Sequence, residues 1–252
     1  MAIVWRDKLL AFGIHFIATA LLAAAAAALI FLVWYPHPFE LMVRGLELFT
    51  LVVSCDLALG PLLSFVVFSR SKTKLALIVD YTAIAIVQIS GMVYGVYAVA
   101  ESRPVYVVFS VDRYEVVAAR DLKESELAAV TDPNYRKAPL DGPHYVAVIV
   151  PAKEREQSLF DEIAGNPSYV RPKWFHPLTD ALPQIRQRAR PLADLEKMHP
   201  DVKPSLAEAL RKISIPVERL RWVPISTRAG FWTALLDIDS GLPVGWVAYD
   251  PY

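Results

Sequence analysis

Residues 46–99 hold two long apolar runs, Leu46 to Phe68 and Leu75 to Val99, separated only by Ser69-Arg70-Ser71-Lys72-Thr73-Lys74. Each is long enough to cross a bilayer, for which about 20 apolar residues suffice. In hydrocarbon, every backbone donor and acceptor must be paired within the segment, so each run has to be a helix. The short basic turn makes the two an antiparallel hairpin.

A third apolar run, Leu9 to Trp34, precedes the hairpin, with His15 and Thr19 as its only clearly polar members. Its basic start, Arg6 and Lys8, and its Ala23–Ala28 tract would also suit a cleaved signal peptide. The run continues through Leu29-Ile30-Phe31-Leu32-Val33-Trp34, past the roughly 7–15 residues of a signal core, and reads as an uncleaved transmembrane helix. Trp34 and Tyr35 suit an interfacial aromatic belt. Pro36 and Pro38 stop the helix, and residues 36–45 read as a short loop. Basic residues concentrate in the head (Arg6, Lys8) and the hairpin turn (Arg70, Lys72, Lys74), while the loop has Arg44 alone. By the positive-inside rule the head and the turn are cytoplasmic. Everything from about Glu101 onward then lies outside the cytoplasm, in the periplasm of a Gram-negative cell.

Composition supports the same division. Of 252 residues, 55% are hydrophobic, more than a soluble globular chain usually carries, and the excess sits in the first hundred. The expected organisation is a transmembrane region over 1–100, with helices at about 9–34, 46–68 and 75–99, and a periplasmic domain over 101–252. Lys plus Arg and Asp plus Glu both total 26, and neither half is strongly charged. That leaves no electrostatic footprint for nucleic acid. The single cysteine, Cys55, lies inside an apolar run, so neither an internal disulfide framework nor a Cys-based metal site is expected.

The domain opens at Arg103-Pro104, where proline bars Arg103 from helical geometry. Val105–Phe109 and Tyr114–Ala118 read as a β-hairpin around Asp112-Arg113. Asp121–Val130 reads as a helix capped by Asp121, His144–Val150 as a strand, and Ala152–Ala164 as a helix. Asn166–Pro183, rich in proline and aromatics, reads as an ordered loop. Ile185–Met198 and Ser205–Ile213 read as helices. Leu220–Thr227, Phe231–Ile238 and Val244–Tyr249 read as strands. Two β groups bracketing a helical middle predict an α+β domain with a largely antiparallel sheet.

Polar residues within the apolar runs are the candidate functional groups. With a rise of 1.5 Å per residue, Asp56 and Gln88 should both lie roughly 20 Å from the hairpin turn. His15 and Asp80 should both lie roughly 8–9 Å in. Intramembrane charges face the bundle interior and pair, so the expected pairs are Asp56 with Gln88 and His15 with Asp80. A protonated Asp56 would donate to the Gln88 side-chain carbonyl. Asp56, Gly60 and Ser64 form one stripe on their helix. Gln88, Gly91 and Gly95 form another, with Gly91 and Gly95 in a small-xxx-small approach motif. Pro61 frees the carbonyl of Leu57 beside Asp56. Two readings stay open for this patch: glue between the chain's own helices, or a surface that binds another membrane helix or moves a proton.

No catalytic constellation emerges. His15, His37, His144, His176 and His199 lack a second ligand at helical spacing, and no G-x-S-x-G, P-loop or G-x-G-x-x-G is present. Asp237 and Asp239 border a turn, where Asp is favoured for backbone bonding. Trp174-Phe175 and Phe231-Trp232 read as core, and Arg186, Arg188 and Arg190 as a solvated helix face. A non-enzymatic chain without cofactor is expected. The alternatives are a periplasmic sensor or, with less support, a membrane-anchored periplasmic enzyme.

Several strings together resemble a known family. They are Asp56-Leu57-Ala58-Leu59-Gly60-Pro61-Leu62-Leu63, then Lys72-Thr73-Lys74, Asp80 and Gln88, then Tyr94-Gly95-Val96-Tyr97, and Ser102-Arg103-Pro104-Val105-Tyr106-Val107-Val108-Phe109-Ser110-Val111-Asp112-Arg113-Tyr114. Over about residues 46–120 the chain is similar to the type IV pilin accessory proteins of the TfpX/TfpZ family. The resemblance implies an inner-membrane protein that assists assembly or dynamics of a cognate major pilin, with the pilus assembly machinery as a further partner, and acts by binding. It implies no catalytic or ligand residues.

The topology predicts that a reporter active only in the periplasm works when fused after Tyr252 and is silent when fused at Thr73. An inactive C-terminal fusion would overturn the orientation.

Overall fold

The computed structural model describes residues 2–43, 45–69 and 71–252. Helix α1 (Ala2–Leu29) continues into one wider, π-helical turn, Ile30–Trp34. After a cis His37–Pro38 bond comes a single helical turn, α2 (Phe39–Met42). Helices α3 (Gly45–Val67) and α4 (Lys74–Ser102) form the hairpin. Thr73 starts α4 by accepting the Ala76 N–H at 3.2 Å, which satisfies one of the orphan donors of a helix N-terminus. Three stretches are long and apolar enough to span a membrane: Trp5–Trp34, Phe49–Val67 and Lys74–Ser102. α3 lies in the middle and packs on both α1 and α4. It runs helical through Pro61. Arg44 and Arg70, which entered the charge argument, lie outside the described residues.

The helix bounds differ from expectation at one end. α1 begins at Ala2 and not at Leu9, because Arg6 and Lys8 are good helix formers and extend the apolar helix outward.

The C-terminal domain is α+β, as expected, around a mixed sheet. Its strands are β1 (Pro104–Ser110), β2 (Arg113–Ala118), β3 (His144–Val148), β4 (Phe175–Pro177), β5 (Arg190–Pro191), β6 (Leu220–Thr227), β7 (Gly230–Asp237) and β8 (Pro243–Val247). They line up as β4-β3-β1-β2-β6-β7-β8, with β5 on β6. Most pairings are antiparallel, but β1–β3 and β2–β6 are parallel. The two parallel seams join segments separated by long connections, which a period-two pattern does not reveal. β1, at the centre, is buried along its whole length. Val107 and Phe109 face one core with Val223, Ile225 and Ile185, while Tyr106 and Val108 face another with Phe175 and Val146. A third cluster packs Leu195 of α8 (Leu192–Met198) and Leu206 of α9 (Lys203–Arg211) under Trp222 and Leu235.

Several local expectations shift. The helix expected from Asp121 starts at Glu124, as α5 (Glu124–Ala128). Asp121 instead accepts the Ala118 N–H at 2.9 Å and ends β2. The helix expected over Ile185–Met198 is two, α7 (Leu182–Arg188) and α8, split by β5. Here the helix breaks, because Pro191 has no N–H for the helical ladder and its ring crowds the preceding turn. Its carbonyl accepts Trp222 Nε1 at 3.0 Å instead. The proline-rich segment 166–183 is ordered, as expected. It contributes β4, and Trp174 and Phe175 are core residues. Asp237 holds a turn: it accepts Arg219 at 2.7 Å and the Asp239 N–H at 3.2 Å. Burial alone would raise its pKa, but Arg219 and the turn hydrogen bonds hold it below the usual carboxylate value. Arg186 is not merely solvated, for it donates to the Ile238 carbonyl at 3.1 Å.

The largest departure is at residues 36–45. They are not a passive loop: Phe39 and Met42 are 2% and 0% exposed and belong to the core of the sheet domain. Phe39 meets Trp246 edge-on at 5.6 Å. Tyr35 is fully buried and donates to the Val99 carbonyl at 2.8 Å, so it is a bundle residue and not part of an interfacial belt. At the other crossing, Arg103 is extended, as its position before Pro104 requires. Its guanidinium donates to the carbonyls of Ala100 at 2.7 Å and Pro139 at 3.3 Å and lies 5.8 Å from the Trp34 ring. Bundle and domain therefore meet through two packed connections.

Phe39→Ala should destabilise the sheet domain by about 3–5 kcal/mol, the usual cost of emptying a buried phenylalanine site. Thermal unfolding in detergent, followed by domain tryptophan fluorescence, reads this. An unchanged melting curve would show that the domain folds without the loop. Proteolysis between Ala100 and Val105 should stay slow in the wild type.

Candidate functional site

The polar patch forms inside the bundle, with partners other than those expected. Counted from its own start, His15 is 13 residues into α1, while Gln88 and Asp80 are 14 and 6 residues past Lys74 in α4. At 1.5 Å per residue, His15 falls level with Gln88 and roughly 10 Å from Asp80. Its Nε2 lies 2.6 Å from Gln88 Oε1, and its Nδ1 hydrogen-bonds the buried Ser64 hydroxyl of α3. Asp80 instead takes Lys72 of the hairpin turn at 2.7 Å, both partly exposed. The expected His15–Asp80 pair is thus replaced by a Ser64–His15–Gln88 link, bridged by His15, across all three helices.

Gln88 does approach Asp56, as expected, but the bond is a different one. Its Nε2 donates to the Asp56 main-chain carbonyl at 3.3 Å, because its Oε1 already serves His15. The Asp56 side chain faces the cleft between α1 and α4, and its Oδ2 is buried with no hydrogen-bond partner among the described residues. Gly60 explains how Gln88 fits: a Cβ there would stand 2.0 Å from Gln88 Nε2. Gly95 does the same for the other end, where a Cβ would stand 2.5 Å from Val52. Gly91 has ordinary space around it, with Asp56 Oδ1 the nearest atom at 3.8 Å, so only half of the Gly91-xxx-Gly95 motif is a close approach. Pro61 and Ser64 are buried beside Gly60. Arg103 and Pro104 form the junction described above, away from this cluster.

The cleft holds about 350 Å³. Thr19 and Tyr81 line it too, and Tyr81 had no sequence signal because tyrosine is common in transmembrane segments near their ends. A second cavity, of about 410 Å³, lies in the domain where β2 and β6 part, lined by Glu115, Asp121, Lys123, Asn166 and Arg228 among others. Burial pushes the Glu115 carboxyl up, against the opposing pull of Ser226 and Arg113. Asp121 is paired with Arg228 and Lys123 with Asn166, so these groups satisfy one another. The intramembrane cluster, with an unpaired carboxyl, has the less complete chemistry.

Comparison with known proteins now bears on this arrangement. A family profile described as fimbrial assembly protein FimB matches residues 3–43, that is, α1 and the α2 loop. The fimbrial assembly protein of serogroup I from Dichelobacter nodosus is 33% identical over 229 residues, covering 89% of each chain. The serogroup E1 protein is 32% identical over the same coverage. The protein of serogroups C1 and C2 is 37% identical over 115 residues, which is 46% of this chain and 88% of that one. The chain belongs to the FimB fimbrial assembly protein family. No solved structure matches it significantly. The FimB profile lies over the segment that carries His15 and ends in the Phe39–Met42 turn, the two features that tie α1 to the hairpin and to the domain.

Gly60→Ala should push the Gln88 amide off both of its partners and weaken the bundle. Gln88→Ala should largely rescue it, since the added methyl then has room. Unfolding in mild detergent of the two single variants and the double variant should give non-additive losses, with a coupling of about 0.5–3 kcal/mol. Strict additivity would mean that Gly60 does not shape the Gln88 site.

Proposed function

We propose that this protein is a pilus assembly factor of the bacterial inner membrane, an accessory of the TfpX/TfpZ kind that binds a cognate major type IV pilin. The observation that carries the reading is the serogroup I relative, a protein named for fimbrial assembly and matched over 89% of each chain. Such a span takes in both the helices and the sheet domain. On the charge distribution, the N-terminus and hairpin turn face the cytoplasm and the sheet domain faces the periplasm. A pilin subunit with one membrane helix and a periplasmic head would meet both parts of this molecule at once. Because the two parts are joined by packed connections at Phe39 and Arg103, binding at one level fixes the position of the other.

The proposed role is non-catalytic and needs no cofactor. The Asp237–Asp239 carboxylate pair at the turn is engaged by Arg219. The pilus assembly machinery is a further partner in this reading.

Deleting the gene should lower surface piliation several-fold while the membrane pool of major pilin remains. The tagged full-length protein should co-purify with that pilin from membranes solubilised in mild detergent. Normal piliation in the deletion strain together with absent co-purification would overturn the role.

A further inference from the structure

α1 and α4 flank α3 and leave the lipid-facing cleft between them. Ala18 and Leu22 form one wall, Ala85 and Ile89 the other, and Asp56 of α3 the floor. Lipid tails can cover the walls but offer no hydrogen bond to a carboxyl. The Asp56 Oδ2 has no partner among the described residues, while Gln88 and His15 are engaged with each other, with Ser64 and with the Asp56 main chain. Asp56 lies roughly 20 Å along α3 from the hairpin turn, too deep for a lipid headgroup. The exposed Ala18 and Ala85 at the mouth permit close approach of another backbone. A symmetric second copy would set two Asp56 carboxyls face to face, a like-charge arrangement that favours a different chain as the occupant.

We propose that this cleft seats the single transmembrane helix of the major pilin, which presents a hydrogen-bond donor (a hydroxyl, amide or amine) to the Asp56 carboxyl. The inference rests on the pilin-binding role proposed above and adds its place and its chemistry. The Ser64–His15–Gln88 link holds the cleft open by fixing the separation of α1 and α4, and Asp56 sets the depth at which the incoming helix stops.

The test is disulfide trapping in native membranes. In a Cys55→Ser background, Ala85→Cys is paired with single cysteines scanned along the pilin helix. Cross-links should recur every three to four pilin positions from Ala85→Cys and be absent from Leu59→Cys, a lipid-facing position on α3 outside the cleft. Adding Asp56→Ala should lower the yield about threefold, the scale of one intramembrane hydrogen bond, and Asp56→Asn less. Ala18→Phe, which fills the cleft from a lipid-facing position, should abolish the cross-link even if Asp56→Ala reduces the protein's level. Equal trapping from Leu59→Cys, a homodimer through Ala85→Cys, or a yield indifferent to both Asp56→Ala and Ala18→Phe would overturn the cleft. Pilin co-purification without any cleft cross-link would sink the cleft and leave the pilin-binding role standing, whereas loss of both would sink the two together.

Discussion

The insertion of Phe39 and Met42 into the core of the sheet domain is the contact on which the rest of the architecture depends. Without it the three helices and the domain would share only the α4–β1 connection, and a single connection permits swivelling. With it, the α1–α3 loop becomes part of the domain core, and Tyr35 on Val99 and Arg103 on Trp34 close the gap between the two crossings. Burying a phenylalanine stabilises by about 1.5–3 kcal/mol, which is large against the marginal stability of a domain. That contact ties the sheet domain to the bundle at a second point beside the α4–β1 connection.

Within the bundle, the polar cluster is organised by competition for a few hydrogen-bonding groups. Gln88 has one acceptor and one amide nitrogen, and the geometry commits the acceptor to His15 and the nitrogen to the Asp56 carbonyl. The Asp56 carboxyl is left over. Intramembrane polar contacts average only about 0.6 kcal/mol each, so such a cluster tolerates an incomplete member better than a soluble core would. Gly60 makes the arrangement possible by leaving space for the Gln88 amide. In this site three ordinary residues are fixed in position and one buried carboxyl oxygen of Asp56 lacks a partner among the described residues.

Much of this was legible in the chain. The three apolar runs, the hairpin turn and the α+β domain follow from segment length and from the 2.0 and 3.6 periodicities, which local sequence reports directly. Asp56, Gln88 and Gly60 stood out because polar or tiny residues are rare and costly inside apolar helices. What misled was the start of α1: placing it at Leu9 shifted His15 by about two turns and paired it with Asp80. The break at Pro191 was readable, since proline removes a helical hydrogen bond and crowds the preceding turn, but the strand it makes with β6 was not, because that pairing is set by a segment some thirty residues away.

The sequence by itself determined which stretches could be helices in lipid and which could be strands, since those limits come from the backbone's need for hydrogen bonds and from the spacing of apolar side chains. The tertiary structure alone decided that a loop of prolines and aromatics enters the domain core, that β1 and β2 each take a parallel neighbour, and that the Asp56 Oδ2 is left without a partner among the described residues. Those outcomes depend on which distant groups the fold brings to a shared neighbour, and local sequence carries no record of that.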